Sequence, residues 1–183
     1  AYEPGSGITI MAYAGICGSD DLAAHSIATF HTKSFDEIVT FSQNGSGNSC
    51  AVITPTGNDA PTVTVPGAHT IPFKTPFRLV ATGTDPNGDT VKFSWEQFDL
   101  GPAGAWNAPS GNAPLFRSYD PVLSGTRLCP KLSNILGAVT NGNGLSKGEW
   151  IPDYARTLKW RCTVRDNRAG GGCVNYNPVL KQI

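Results

Sequence analysis

Asp85, Asn87 and Asp89 alternate through the stretch DPNGD. Oxygen-bearing side chains at every second position of a tight turn are the kind of set that a hard cation such as Ca²⁺ takes. Asp59, Glu96 and Asp166 are the carboxylates that neighbouring loops could add. The same residues have a plainer use, because Asp, Asn and Gly build turns by bonding their own backbone and tolerating positive φ. The other groups able to do chemistry are few. Three histidines, His25, His31 and His69, are never followed by Glu, and the five cysteines at 17, 50, 129, 162 and 173 include no Cys-x-x-Cys pair. Neither pattern suits a structural zinc site. No Gly-x-Ser-x-Gly elbow supports a serine hydrolase. The glycines at 170–172 stand between two strands, without the helix that an anion site needs.

The elements that carry these groups read as mainly β. With 21 Gly and 14 Pro among 183 residues and 15% charged side chains summing to zero, the chain is turn-rich and weakly charged. Such a balance suits an extracellular protein. It gives no basic footprint for nucleic acid or an anionic membrane surface. No run of about 18 apolar residues is present for membrane insertion, and no leader with charged, apolar and small-residue regions precedes the rest.

Residues 82–97, TGTDPNGDTVKFSWEQ, predict a β-hairpin. Pro86 presets φ, Asn87 and Gly88 accept positive φ, and Val91, Phe93 and Trp95 then alternate with Lys92, Ser94 and Glu96. One face is expected in the core and the other in water. Residues 158–165 repeat the pattern, with Leu158, Trp160, Cys162 and Val164 inward and Lys159, Arg161, Thr163 and Arg165 outward. Further strands are expected at 62–65, 69–73, 77–82 and 173–180, with an irregular region at 115–128. A helical turn or two is expected at 132–139 and a mobile loop at 140–147. This spacing suggests an Ig-like β-sandwich over residues 56–183, closed on a buried Trp.

Residues 1–55 differ from the rest. ITIMAY is a short apolar run, and Ser34 with Glu37 forms a capping box that should start a helix. Its inner face is Phe35, Ile38, Val39 and Ser42, and Asn44 and Gly45 stop it. One short helix and two short runs cannot make a core alone, so this α+β segment needs more chain to pack against. Residues 55–60 read as a linker. Cys17 and Cys50 flank the segment and are expected to pair, as disulfides suit a secreted composition. A second bridge, Cys162 to Cys173 across two strands, is a weaker assignment that leaves Cys129 free.

The motif ITIMAYAGICG resembles the Met-turn of metzincin zinc peptidases. Together with the helix and the Ig-like module behind it, it resembles the reprolysin-like metzincins that bacteria secrete. The resemblance implies that Met11 is the hydrophobic floor beneath a zinc site, a role suited to a soft thioether. It implies that Tyr13 is an oxyanion stabiliser or zinc ligand. It also implies that the reaction of the intact parent is hydrolysis of a protein or peptide substrate by zinc-bound water, outside the cell or at its surface. The His-Glu-x-x-His-x-x-Gly-x-x-His signature that supplies zinc and base is not in this sequence. The chain, beginning at Ala1 without an initiator Met, therefore reads as an inactive C-terminal piece of a longer precursor. The acidic turn resembles the calcium loops of cadherin-like and polycystic-kidney-disease-like modules. That supports the alternative of a non-enzymatic adhesion or carbohydrate-binding module stabilised by Ca²⁺. In the peptidase reading the sandwich is an accessory module, and Trp106 and Trp150, expected exposed in Gly- and Pro-rich loops, are its candidate ligand contacts.

Overall fold

Inward-facing aromatic and β-branched side chains from separate strands need a common interior, and two sheets supply it. The structure is a computed structural model that describes residues 1–137 and 145–177 and the backbone of Lys181 and Gln182. Strands β1 (Phe77–Val80) and β3 (Thr126–Cys129) form an antiparallel pair with Leu79 opposite Arg127. In the larger sheet β4 (Lys159–Arg165) is central. Strand β2 (Lys92–Gln97) lies along one edge of β4, and β5 (Val174–Tyr176) and β6 (Lys181–Gln182) also pair with it. All are antiparallel. Leu79, Phe93, Trp95, Phe116, Trp160 and Val164 share one buried cluster drawn from both sheets. At its centre Trp160 is fully buried, with its ring centroid 5.3 Å from Phe116 and 6.0 Å from Phe77. The chain is thus mainly β, with two sheets and few helices.

The expected hairpin is a turn without a hairpin. Gly88 takes φ +83° and its N–H donates to Asp85 O at 3.2 Å, as the turn chemistry requires. Its arms then diverge, since β1 pairs with β3 and β2 with β4. Thr82 bonds Thr64 instead, at 2.8 and 2.9 Å. Passing from one sheet to the other lets both arms place apolar side chains in the same interior, which direct pairing would not do. Residues 69–73, expected as a strand, form none; Thr64 makes one isolated bridge.

The faces expected in water are covered in their middle. Ser94, Glu96, Arg161 and Thr163 are all nearly inaccessible. Residues 31–36 lie over the middle of this outer face, with Thr32 N on Glu96 and Asp36 on Arg161. That part of the sheet is buried on both sides, while Lys92 and Lys159 stay exposed. Helix α1 (Thr32–Val39) starts before the expected capping box. Its cap is His31, whose Nδ1 accepts from Lys33 N at 3.2 Å. Thr32 is buried and Phe35 packs edge-on against Tyr176 at 5.8 Å, whereas Ile38, expected inside, is exposed. The helix ends near the expected place, running through a π-turn over Thr40–Asn44 to Gly45. Helix α2 (Leu132–Ile135) matches the expected helical turn. The mobile loop expected at 140–147 lies largely outside the described residues, as does the far end of the strand expected at 173–180.

All five thiols are free. Cys162 and Cys173 cannot bridge as expected, because the register sets Val174 opposite Arg165 and Cys162 opposite Trp95. Cys173 exchanges a bond with Asp166 and so sits about four residues, or roughly 13 Å, along the strand from Cys162. Cys17 and Cys50 are exposed and unjoined.

Candidate functional site

The segment around Met11 is built on one carboxylate. Glu3 Oε1 accepts from Ile8 N at 3.1 Å, and Oε2 accepts from Thr9 N at 3.4 Å and Thr9 Oγ1 at 2.5 Å. Ser6 adds a second anchor, its Oγ accepting from Leu22 N at 3.1 Å and its carbonyl from Tyr13 N at 2.9 Å. The run also bonds sideways, Ile10 N to Thr29 O and Ile27 N to Ile8 O. On this base Ala12 N donates to Thr9 O at 3.0 Å, which closes a tight turn with Ile10 and Met11 at its centre. Gly7, at φ +66°, has no room for a side chain: a Cβ there would stand 2.7 Å from that of Ala12. Ile8 and Thr9 are buried, but the turn faces its apolar side chains outward: Met11 is 68% exposed, Tyr13 66% and Ile16 77%. Met11 is therefore not an ordinary core residue. It stands at the centre of the hydrogen-bonded turn, and Tyr13 just after the turn is exposed to a similar degree.

The histidines present do not fit zinc. His31 is buried with both ring nitrogens used, Nδ1 accepting from Lys33 N and Nε2 facing Gln97 O at 3.2 Å. His25 and His69 are exposed. Among the described residues no three His, Cys, Asp or Glu side chains are grouped to hold a metal ion.

The acidic set is only partly brought together, and its oxygens are mostly used. Asp85 Oδ1 accepts from Asn87 N at 2.8 Å and from Asp89 N at 3.2 Å, so it stiffens its own turn. Asn87 Oδ1 accepts from Asp59 N at 2.7 Å. Asp89 faces the guanidinium of Arg168 at 3.9 Å, a fixed cation in place of a metal. Asp166 accepts from Arg168 N, Cys173 N and Asn58 Nδ2, the last at 2.7 Å. Burial raises its pKa, but these bonds and the charge of Arg168 outweigh that and hold it below the usual carboxylate value. Asp85 Oδ2 alone is enclosed without a donor. Glu96 belongs elsewhere. By count it is the twelfth residue of a loop beginning at Asp85, but the extended strand β2 carries it beneath α1, where its Oε2 accepts from Thr32 N at 3.0 Å. The set as it stands does not fit calcium. Trp106 and Trp150 are half-buried; Trp150 packs against the core and Lys147 Nζ lies 5.9 Å from the Trp106 ring.

Beneath α1 lies a polar layer that the alternation pattern hides. Arg161 Nη1 meets Asp36 Oδ1 and Oδ2 at 2.7 and 2.8 Å. Its guanidinium carbon is 3.9 Å from the Phe98 ring centroid and 4.1 Å from that of Tyr176. Desolvation pushes the Glu96 pKa up; His31 and Arg165 pull it back, and Glu3 adds to the rise. Burial likewise pushes the Cys162 thiol up to about 12, so it is inert as a nucleophile. The available signal was the charge on the supposed outer faces, since Glu96 and Arg161 stand opposite one another in the register. Comparison of the chain with known protein families, with curated proteins and with solved structures returned no match.

Proposed function

We propose that residues 1–55 are the last part of a metzincin-type catalytic domain and that residues 56–183 form an Ig-like accessory module. The intact parent is then a secreted or cell-surface zinc peptidase acting on protein or peptide substrates, and this chain alone is inactive. The observation that carries the reading is the turn at Met11. A methionine at the centre of a tight, carboxylate-anchored turn, two-thirds exposed beside an equally exposed Tyr13, suits a floor awaiting a zinc site above it. Ile10, Ile16 and Phe41 extend the uncovered apolar surface of the same segment. The zinc ligands and general base belong to the parent and not to these residues.

Mass spectrometry of the protein from its native source, read back through Ala1, tests this directly. The expected result is a His-Glu-x-x-His-x-x-Gly-x-x-His stretch upstream. A precursor in which only a signal peptide precedes Ala1 overturns the reading.

A further inference from the structure

A cleft lies where residues 28–35 cross the outer face of the larger sheet. Its volume is about 630 Å³. Its floor is a row across three adjacent strands, Lys92, Arg165 and Val174, set side by side by the register. Phe30 and Phe35 line it from the N-terminal segment, and Asp120 lies on its rim. Two cations directly opposite on neighbouring strands repel one another. Among the described residues neither Lys92 nor Arg165 forms an ion pair.

Arg165 is the more telling of the two. It is half-buried, and its Nη1 is closed off from water with no acceptor. A guanidinium presents a planar fork of donors that matches a carboxylate, and leaving such donors unmet in a partly dry site is unfavourable. The other cations that touch the N-terminal segment from the sheets and loops each have an acceptor in it: Arg161 meets Asp36, Arg117 meets Leu22 O and Lys147 meets Ser19 O. Asp120 is exposed and forms no ion pair among the described residues. The cleft thus combines two neighbouring cations with aromatic walls. The cations are offset only by Glu96 behind Arg165 and by Asp120 in the lining, and neither has a direct carboxylate partner among the described residues.

We infer that this cleft binds a carboxylate borne by a peptide with an apolar or aromatic side chain, Arg165 and Lys92 holding the carboxylate and Phe30 and Phe35 the side chain. All of these groups belong to this chain, so binding does not depend on a catalytic domain upstream. The carboxylate is a peptide C-terminus or an acidic side chain, and the two share the chemistry described.

Calorimetric titration of the full chain with N-acetyl-Leu-Phe, its C-terminal amide, and N-acetyl-Asp-Phe-amide tests the site. Saturable binding of the free acid, with the Leu-Phe amide weaker by about tenfold or more, is expected if the terminal carboxylate is the ligand. Tighter binding of the Asp peptide supports the acidic side chain instead. Arg165→Gln should weaken the preferred probe by about tenfold. Lys92→Gln, at an exposed position that leaves folding intact, should weaken it by about threefold, and Asp120→Asn should strengthen it by removing a competing charge. Equal binding of acid and amide, no saturation, or indifference to Lys92→Gln and Arg165→Gln together overturns the assignment.

Discussion

Glu96 and Asp166 are both buried carboxylates, but their surroundings act on stability in opposite directions. Glu96 meets one backbone N–H, and desolvation wins, so its pKa rises on folding. The native state then holds the proton more tightly than the unfolded one. Stability from this group is fully present below the ordinary Glu value, about 4.3, and is lost as pH rises through the raised folded value. Glu96→Gln keeps an acceptor for Thr32 N and removes the buried charge, so urea unfolding should show the loss toward neutral pH abolished. Asp166 meets several donors and its pKa falls. Its contribution is present above the ordinary Asp value, about 3.9, and is lost as pH falls through the lowered one. Asp166→Ala should cost about 2–3 kcal/mol at neutral pH and flatten the acid limb of the same curve. A pair of variants that altered both limbs alike would contradict this division.

At the scale of elements, α1 is held by a few polar contacts more than by its apolar face. Ile38 is exposed and Phe35 only half-buried, while Asp36 meets Arg161 and Thr32 N meets Glu96. Removing one partner of such a pair leaves a desolvated charge behind. Asp36→Ala should destabilise the docked helix by about 3 kcal/mol and raise amide exchange over Thr32–Val39, with Phe93 and Trp95 still protected. Uniform loss of protection in both regions would mean that helix and sheet unfold together. Strands β2 and β4 were legible because their alternation is strict, and Trp160, Cys162 and Val164 are buried as read. Their partners were not, since a turn such as DPNGD fixes local φ and ψ but not which sheet each arm joins. The outer faces misled because polar side chains signal contact with polar groups, and Arg161 finds those on α1 and not in water. The helix start was displaced because Ser34 and Glu37 carry a capping pattern, yet His31 caps three residues earlier by accepting from Lys33 N, its other ring nitrogen meeting Gln97 O. At the candidate site, ITIMAY reads only as a short apolar run, since the turn inside it depends on anchors from Glu3 and Ser6, and Lys92 and Arg165 became neighbours only through register.

For the whole molecule, the N-terminal segment and the two sheets are joined covalently by a thin strap and non-covalently by a broad polar seam. Residues 51–57 are exposed throughout, Val52 at 93% and Ile53 at 82%, and among the described residues no hydrogen bond engages residues 51–55. Apolar residues in an open, unbonded backbone are the preferred point of attack for a protease such as thermolysin. The seam is independent of that strap. Besides the α1 contacts, Arg117 Nη1 donates to Leu22 O at 2.9 Å and Lys147 Nζ to Ser19 O at 3.0 Å, while Leu22 is buried beside Gly148. Brief digestion should therefore cut first at Val52 or Ile53, and the two products should elute together from gel filtration and separate only in denaturant. The same cut in the Asp36→Ala variant should release the N-terminal product, because the seam then loses its central ion pair. Release from the unaltered chain would show instead that the strap, and not the buried polar layer over β2 and β4, keeps the N-terminal segment in place.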